Sequence, residues 1–386
     1  MPNTLTNLIP DLFNALDVVS RELVGLIPAV SRDSSIERAA KGETVRSFVA
    51  PVSTASDITA GQQPADNGNQ TIGNKTITVS KSRYVPVRWN GEEQKGINHG
   101  VGYGNVRADQ FAQAMRTLTN EVEADLAGLY VKASTAVGPD GTTLFDAANY
   151  NDVAQVRKLL VDNGAPISDM HLILNTTGGA ALRGNAQYAG ANTSGLDSIL
   201  RQGVLLDVHG MAIRESSQVI SAAAGTASSC TVNDDGYAIG ATVLTLSEAG
   251  TGTILAGDVI TITGDASATP YVVASGDADI SGGGTITIAA PGLKASLTAA
   301  THVVTVNASL EKNMAFSRNA IHLVTRAPAR PVEGDSADDF MVIQDPRSGL
   351  AFEISMYKEY RQVKYEVALA WGYEMIKPEH CALLVD

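Results

Sequence analysis

The chain has 386 residues, of which 44% are hydrophobic and 18% charged, with 36 glycines. That length can bury cores in two or three domains, and the composition is that of an ordered chain rich in turns and β segments, which excludes fibrous and disordered classes. A net charge of −13, from 28 basic and 41 acidic side chains, argues against a protein that grips nucleic acid, because such affinity comes from neutralising phosphates.

Residues 10–27 predict an amphipathic helix. Leu12, Leu16, Val19, Leu23 and Ile27 recur at helical spacing, Pro10 and Asp11 suit a first turn, and Pro28 ends the run. Such a helix packs on its own domain or, as an arm, on a neighbouring molecule. Over 43–90, the strand-like runs TVRSFVAPV and KTITVSKSRYVPVRW flank the polar SDITAGQQPADNGNQTIGN. They predict one long β-hairpin with a flexible tip. A two-stranded ribbon is marginal in water, and no segment adjacent in sequence offers cover. Another subunit is therefore its expected partner.

Residues 106–136 carry the longest helical signal. Phe111, Met115, Leu118, Val122, Leu126 and Leu129 form one apolar stripe, and Gly138 and Pro139 stop it. The stripe reads as the core face of a spine lying across a sheet. From 151 to 221 the pattern alternates. DVAQVRKLLVDNG predicts a helix ending on Gly164, HLILN a buried strand, SGLDSILRQG a helix closing on Gly203, and VLLDVHGMAIRES strands. This is a mixed α/β or α+β domain.

Residues 222–309 change character. ATVLTL, DVITIT, YVVAS, GTITIA and HVVTVN recur between Gly-rich breaks, predicting a small all-β sandwich or barrel inserted into a loop of another domain. Its acidic residues face a single cation, Lys294. Near the end, Tyr365, Val367, Leu369, Trp371, Tyr373 and Met375 alternate with Lys364, Glu366, Ala368, Ala370, Gly372 and Glu374. That is a long strand with one apolar face. Its expected partner is 352–358, through a turn near Glu359–Gln362, and its expected cover is the Phe111–Leu129 stripe.

The search for chemistry yields no candidate catalytic, cofactor-binding or metal-binding residue, so the chain is expected not to be an enzyme. Cys230 and Cys381 are far apart and make neither a disulfide framework nor a zinc cage. His99, His171, His209, His302, His322 and His380 include no pair at metal-ligand spacing. GVGYG at 100–104 lacks the spacing and the lysine of a phosphate loop. Asp207, His209 and Ser216 lie close in sequence, whereas a catalytic triad converges from distant segments. The pairs Asp234–Asp235 and Asp338–Asp339 supply too few ligands for calcium and read as solvated turns. With no signal peptide evident and no apolar run of bilayer length, the expectation is a soluble protein made in a reducing cytoplasm, with no membrane partner.

Four features together resemble the major capsid (coat) proteins of tailed bacteriophages: an N-terminal arm, a long hairpin, a spine helix and a closing strand pair that returns to the spine. NMAFSRNAIHLVTRAP at 313–328, GLAFEISMYKEYRQVKYEVALAWGYEMIKPEHCALL at 349–384 and QGVLLDVHGMAIRESSQV at 202–219 are similar to segments of that family. The Thr-rich insertion makes the chain most similar to short-tailed (podovirus) coat proteins that carry an extra β-barrel, although the stretch near Asp234–Asp235 is short for their capsomer-bridging loop. The resemblance implies an α+β, Hong Kong 97-like fold. Its parts would be an arm (1–42), an extended loop (43–90), a peripheral domain (91–150, spine 106–136), an axial domain (151–221 and 310–345), the inserted barrel (222–309) and closing peripheral strands (346–386). It implies hexamers and pentamers of an icosahedral shell enclosing double-stranded DNA without sequence-specific binding. A scaffolding protein and a portal are the implied helpers, and no cofactor is. The acidic Asp11 and Asp17 of the arm are expected to meet a basic scaffolding helix. A tail-tube or adhesin-like β protein is the alternative.

Overall fold

A computed structural model of the chain describes residues 24–49, 51, 55–63, 69–97, 103–138, 144–145, 151–185, 205, 207–233, 235–308, 311–344 and 349–385. Asp11, Asp17 and the helix expected at 194–203 lie outside these residues. So does most of the helix expected at 10–27. Its last four residues, 24–27, are not helical, because the N–H groups of 25–27 are held by a side chain of the spine, described below. The described residues form nineteen strands and four α-helices, numbered here in chain order.

The first sheet is built around β18 (Gln362–Met375). β17 (Ala351–Glu359) runs antiparallel to it, with Glu359 opposite Gln362. The turn between them places Arg361 at a φ of 56°. β15 (Ile321–Pro328) pairs with the far end of β18, from Arg326 opposite Ala370 to Ile321 opposite Met375. β4 (Lys81–Asn90) runs along β18 from Asn90 opposite Gln362 to Lys81 opposite Trp371. β1 (Ser31–Ala39) extends the sheet in parallel beside β15, and β16 (Asp339–Gln344) extends it beside β17.

The long helix α2 (Tyr103–Ala127), preceded by the short α1 (Gly91–Ile97), crosses this sheet. The whole predicted stripe from Phe111 to Leu129 is buried in one core with Tyr365, Val367, Leu369, Trp371 and Met375. Phe111 meets Tyr365 edge-on, with ring centroids 5.3 Å apart. The helix is shorter than the expected 106–136. It tightens into a 3-10 turn at Gly128–Lys132 and gives way to β5 (Thr135–Val137). Two causes favour the strand: β-branched Thr135 and Val137 suit extended backbone, and Ser134 donates from both N and Oγ to the Cys381 carbonyl, at 3.0 and 2.8 Å.

β2 (Thr44–Val49) and β3 (Gly73–Thr78) form a separate two-stranded ribbon, Thr44 opposite Thr78 and Val49 opposite Gly73. The pairing of the expected hairpin is therefore present. Its second run divides, however: β3 stays in the ribbon, while β4 enters the first sheet.

The second sheet contains β5, β19 (Cys381–Leu384), β14 (Asn313–Ser317), β6 (Met170–Leu174) and β7 (Met211–Glu215), in that order. Its two faces feed two cores. Met314, Phe316, Cys381 and Leu383 join the α2 core. Ala315, Ala382 and Leu384 pack with Val153, Val156 and Leu160 of α3 (Asn151–Asp162). Unbroken apolar runs such as CALL suit strands covered on both faces. The chain passes between the sheets: β17 and β18 lie in the first and β19 in the second, and β14 lies in the second while β15 and β16 lie in the first. The sequence reading missed α4 (Thr176–Gly184), whose Thr-Thr-Gly-Gly start reads as a turn. Asn175 caps it, its side chain accepting the Gly178 N–H at 2.6 Å.

The Thr-rich segment folds into β8 (Cys230–Val232), β9 (Val243–Leu246), β10 (Val259–Ile262), β11 (Tyr271–Ser275), β12 (Gly284–Ile288) and β13 (His302–Asn307). Pairing runs β10-β13-β8-β9-β12-β11 and returns from β11 to β10, so the strands close into a barrel. The five expected runs are five of these strands, and the three-residue β8 was missed. The barrel has its own core, including Ile260, Val273 and Ile286. Yet its Val259 and Val272 reach the α2 core, and Tyr271 pairs with Thr135 of β5. The barrel is thus packed against the end of the spine.

Candidate assembly surfaces

Among the described residues, no group of three His, Cys, Asp or Glu could hold a metal ion. The tempting cluster near 207–216 does not assemble as a triad. His209 sits in a tight turn with φ 51°, its carbonyl accepting from Arg157 Nη1 at 2.5 Å. Ser216 bonds the Gln218 N–H and the Glu123 carboxyl instead. Asp338 pairs with Lys358 at 3.0 Å, and Asp339 accepts the Phe340 N–H at 2.9 Å. Asp235 accepts from the Asn233 amide, while Asp234 lies outside the described residues. Tyr103 and Gly104 of the glycine-rich run open α2.

The inner anchor of the incoming chain is Glu123, on the buried side of α2. Its carboxylate accepts the N–H groups of Gly25 (2.7 Å), Leu26 (2.6 Å) and Ile27 (3.0 Å). Burial pushes this carboxyl up, while the three backbone donors and Ser216 pull it back. Gly25 leaves no room for a side chain: a Cβ there would lie 2.8 Å from the Glu215 carbonyl oxygen. The sequence carried a signal for this site, an acid at a core-facing position beside Val122, which the stripe alone did not explain.

The ribbon begins on the reverse face of β18. There Ile77 and Val79 pack with Ala39, Val324, Ala370 and Ile376. Ser80 N donates to the Trp371 carbonyl at 3.1 Å. Gly372 makes the approach possible, since a Cβ there would collide with the Thr78 carbonyl oxygen. The small residues between the apolar positions of β18 therefore make room for the ribbon's base. On the other face, Asp125 accepts from Trp371 Nε1 at 2.8 Å and pairs with Lys81 at 2.7 Å, tying helix, β18 and β4 together.

Farther along, Val45 and Val49 still pack on this cluster, but other apolar side chains do not. Phe48 is 78% exposed, Ile58 92% and Ile72 67%. Three large apolar side chains so exposed on one hairpin mark an interaction surface. The outer face of the first sheet is polar and aromatic. Lys364 lies 5.5 Å from the Tyr84 ring and 5.9 Å from the Tyr357 ring. Arg38 and Arg330 flank Phe340 at 5.3 and 4.4 Å, and both pair with the buried Glu353 at 2.5 Å.

No family model matches the chain, and no curated protein matches it. Solved structures overlap it more distantly. A chain from Mycobacterium phage Che8 is 14% identical, with a TM-score of 0.46 over 90% of this chain and 88% of that one. A chain from the capsid of cyanophage P-SCSP1u is 12% identical, with a TM-score of 0.48 over 92% and 86%. A chain from the mature capsid of bacteriophage PhiM1 is 12% identical, with a TM-score of 0.43 over 94% and 86%. All three scores fall below 0.5, so the functional reading rests on the residues of this chain.

Proposed function

We propose that the chain is a structural subunit of a virion shell, a major capsid protein that self-assembles. The observation that carries this reading is the ribbon: a two-stranded sheet whose Val45 and Val49 face packs on the reverse of the first sheet, while Phe48, Ile58 and Ile72 stand exposed. An isolated ribbon is marginal in water, so a neighbouring copy supplies the missing cover. Shell assembly spreads binding over many modest interfaces, which suits such a projection. The net charge of −13 suits a wall that encloses double-stranded DNA without gripping it.

The finer reading is a Hong Kong 97-like subunit of the podovirus type, with the six-stranded sheet and α2 as its peripheral part, the second sheet with α3 and α4 as its axial part, and the barrel as its insertion. Hexamers and pentamers of an icosahedral shell, a scaffolding protein and a portal belong to the same proposal, as does synthesis in a bacterial cytoplasm. The closed barrel alone would also fit a tail-tube or adhesin-like protein, but the spine and the mixed second sheet find no use there. Electron microscopy of the purified protein, with and without a scaffolding protein, separates the readings. Closed shells or capsomer-sized rings support the proposal, open tubes favour the alternative, and a strict monomer at high concentration overturns it.

A further inference from the structure

One cluster on the second sheet has no part in the assembly reading. His171, on β6, lies against the Phe316 ring, with ring centroids 6.3 Å apart. Arg318 follows β14, and its Nη2 lies 3.4 Å from His171 Nε2. A guanidinium only donates, so Nε2 accepts and the ring proton sits on Nδ1. Arg214, on β7, stands opposite Ile173, which places it on the same face of the sheet as His171. Burial, Arg318 and Arg214 together hold His171 down at about 4, so the ring is neutral at pH 7.

Three nitrogens of this cluster are buried without a hydrogen-bond acceptor: His171 Nδ1, Arg214 Nε and Arg318 Nε. Buried donors are almost always paired, and unpaired ones that gather in one place call for an acceptor. The carboxylates nearby do not fill that role. Asp169 Oδ2 stands 3.7 Å from Arg318 Nε, beyond hydrogen-bond reach, on a side chain 65% exposed, and Asp207 acts on His171 only through its charge. His171 is 2% exposed, whereas the Arg318 side chain keeps 34% of its surface in solvent. The cluster is therefore a buried floor with a cationic rim that solvent reaches.

We propose that Arg214 and Arg318, above His171, form a binding site for a tetrahedral oxyanion of the phosphate type. Planar guanidinium forks suit such an ion, which accepts several N–H donors at once. The neutral imidazole contributes a donor without adding charge. Free inorganic phosphate and a phosphate of a nucleic-acid strand share this chemistry.

The test is thermal unfolding of the full chain at pH 7 and constant ionic strength, with chloride exchanged for inorganic phosphate or for a short DNA duplex. Phosphate stabilises proteins generally by exclusion, so the readout is the difference between the wild type and its variants. The wild type is expected to gain Tm with phosphate, following mass action. Arg214→Gln and Arg318→Gln are expected to weaken the apparent phosphate affinity by about tenfold or more. Arg46→Gln, on the exposed ribbon, should keep the full gain. Arg214→Gln removes an unpaired buried donor, so in phosphate-free buffer it should unfold at or above the wild-type temperature. A gain with free phosphate assigns the site to the free ion, and a gain with the duplex alone assigns it to strand phosphate. Equal responses in the wild type and Arg214→Gln, or no response to either anion, overturn the proposal.

Discussion

The closing strand and the ribbon are both β structure with an apolar face, and they meet at Trp371–Gly372, yet they are stabilised in different ways. β18 has strands on both edges, a helix over one face and the ribbon's base over part of the other. The ribbon packs Ile77, Val45 and Val49 against that reverse face, but among the described residues of the hairpin Phe48, Ile58 and Ile72 stay exposed. One region is complete within the chain and the other is left open. A sequence rule that equates an apolar β residue with a core holds for β18 and for Val45, Val49 and Ile77 of the ribbon, and fails for Phe48 on the ribbon's opposite face. The open face is where the chain must look outside itself.

Substitutions sharpen this contrast in descending order of effect. Trp371→Asp should abolish folding, because it places a charge in the fully buried core and removes the bond to Asp125. The expected loss exceeds about 4 kcal/mol, read as absence of a cooperative urea transition. Glu123→Gln keeps the shape but puts an amide donor where three N–H groups need acceptors. A loss of roughly 1–3 kcal/mol is expected, and wild-type stability would show that the carboxylate does not anchor the incoming chain. Gly372→Ala forces the ribbon's base off the sheet, at about 1–3 kcal/mol. Hydrogen exchange should show faster exchange at Ser80 and along β3, with β17 unchanged.

The second sheet adds a pH dependence. Unfolded His171 takes up a proton near its ordinary pKa of 6.5, while the folded ring resists protonation until about 4. Between these values the unfolded chain binds more protons, so stability falls as the pH drops from about 6.5 to about 4. His171→Asn should flatten the part of the urea-midpoint profile that lies in this window. An unaltered profile would show that the ring does not titrate as its burial implies.

Much of this fold was legible in the sequence. The 3.6-residue stripe of α2, the alternation of β18 and five of the barrel strands are all regular burial patterns, and period alone reveals them. What stayed hidden depends on long-range partners. Nothing local says that Ser134 will bond Cys381, so the helical pattern was read past its true end. Nothing local says that KTITVSKSRYVPVRW will bend at Val79–Ser80, because the cause is the strand carrying Trp371, far along the chain. The short β8 and the Asn-capped α4 were too brief to show a period. At the sites, the Glu123 anchor and the His171 cluster needed long-range packing to bring their parts together.

The central claim is that the ribbon's exposed residues are interface and not core. Its most direct test is sedimentation velocity on the wild type and on a combined Phe48→Ser, Ile58→Ser, Ile72→Ser variant, under conditions where the wild type assembles. All three side chains are exposed, so the variant should unfold within about 0.5 kcal/mol of the wild type. It should nevertheless stay at the size of a single subunit while the wild type forms large closed particles. A variant that assembles as fully as the wild type, or a ribbon whose loss unfolds the isolated subunit, would contradict the account.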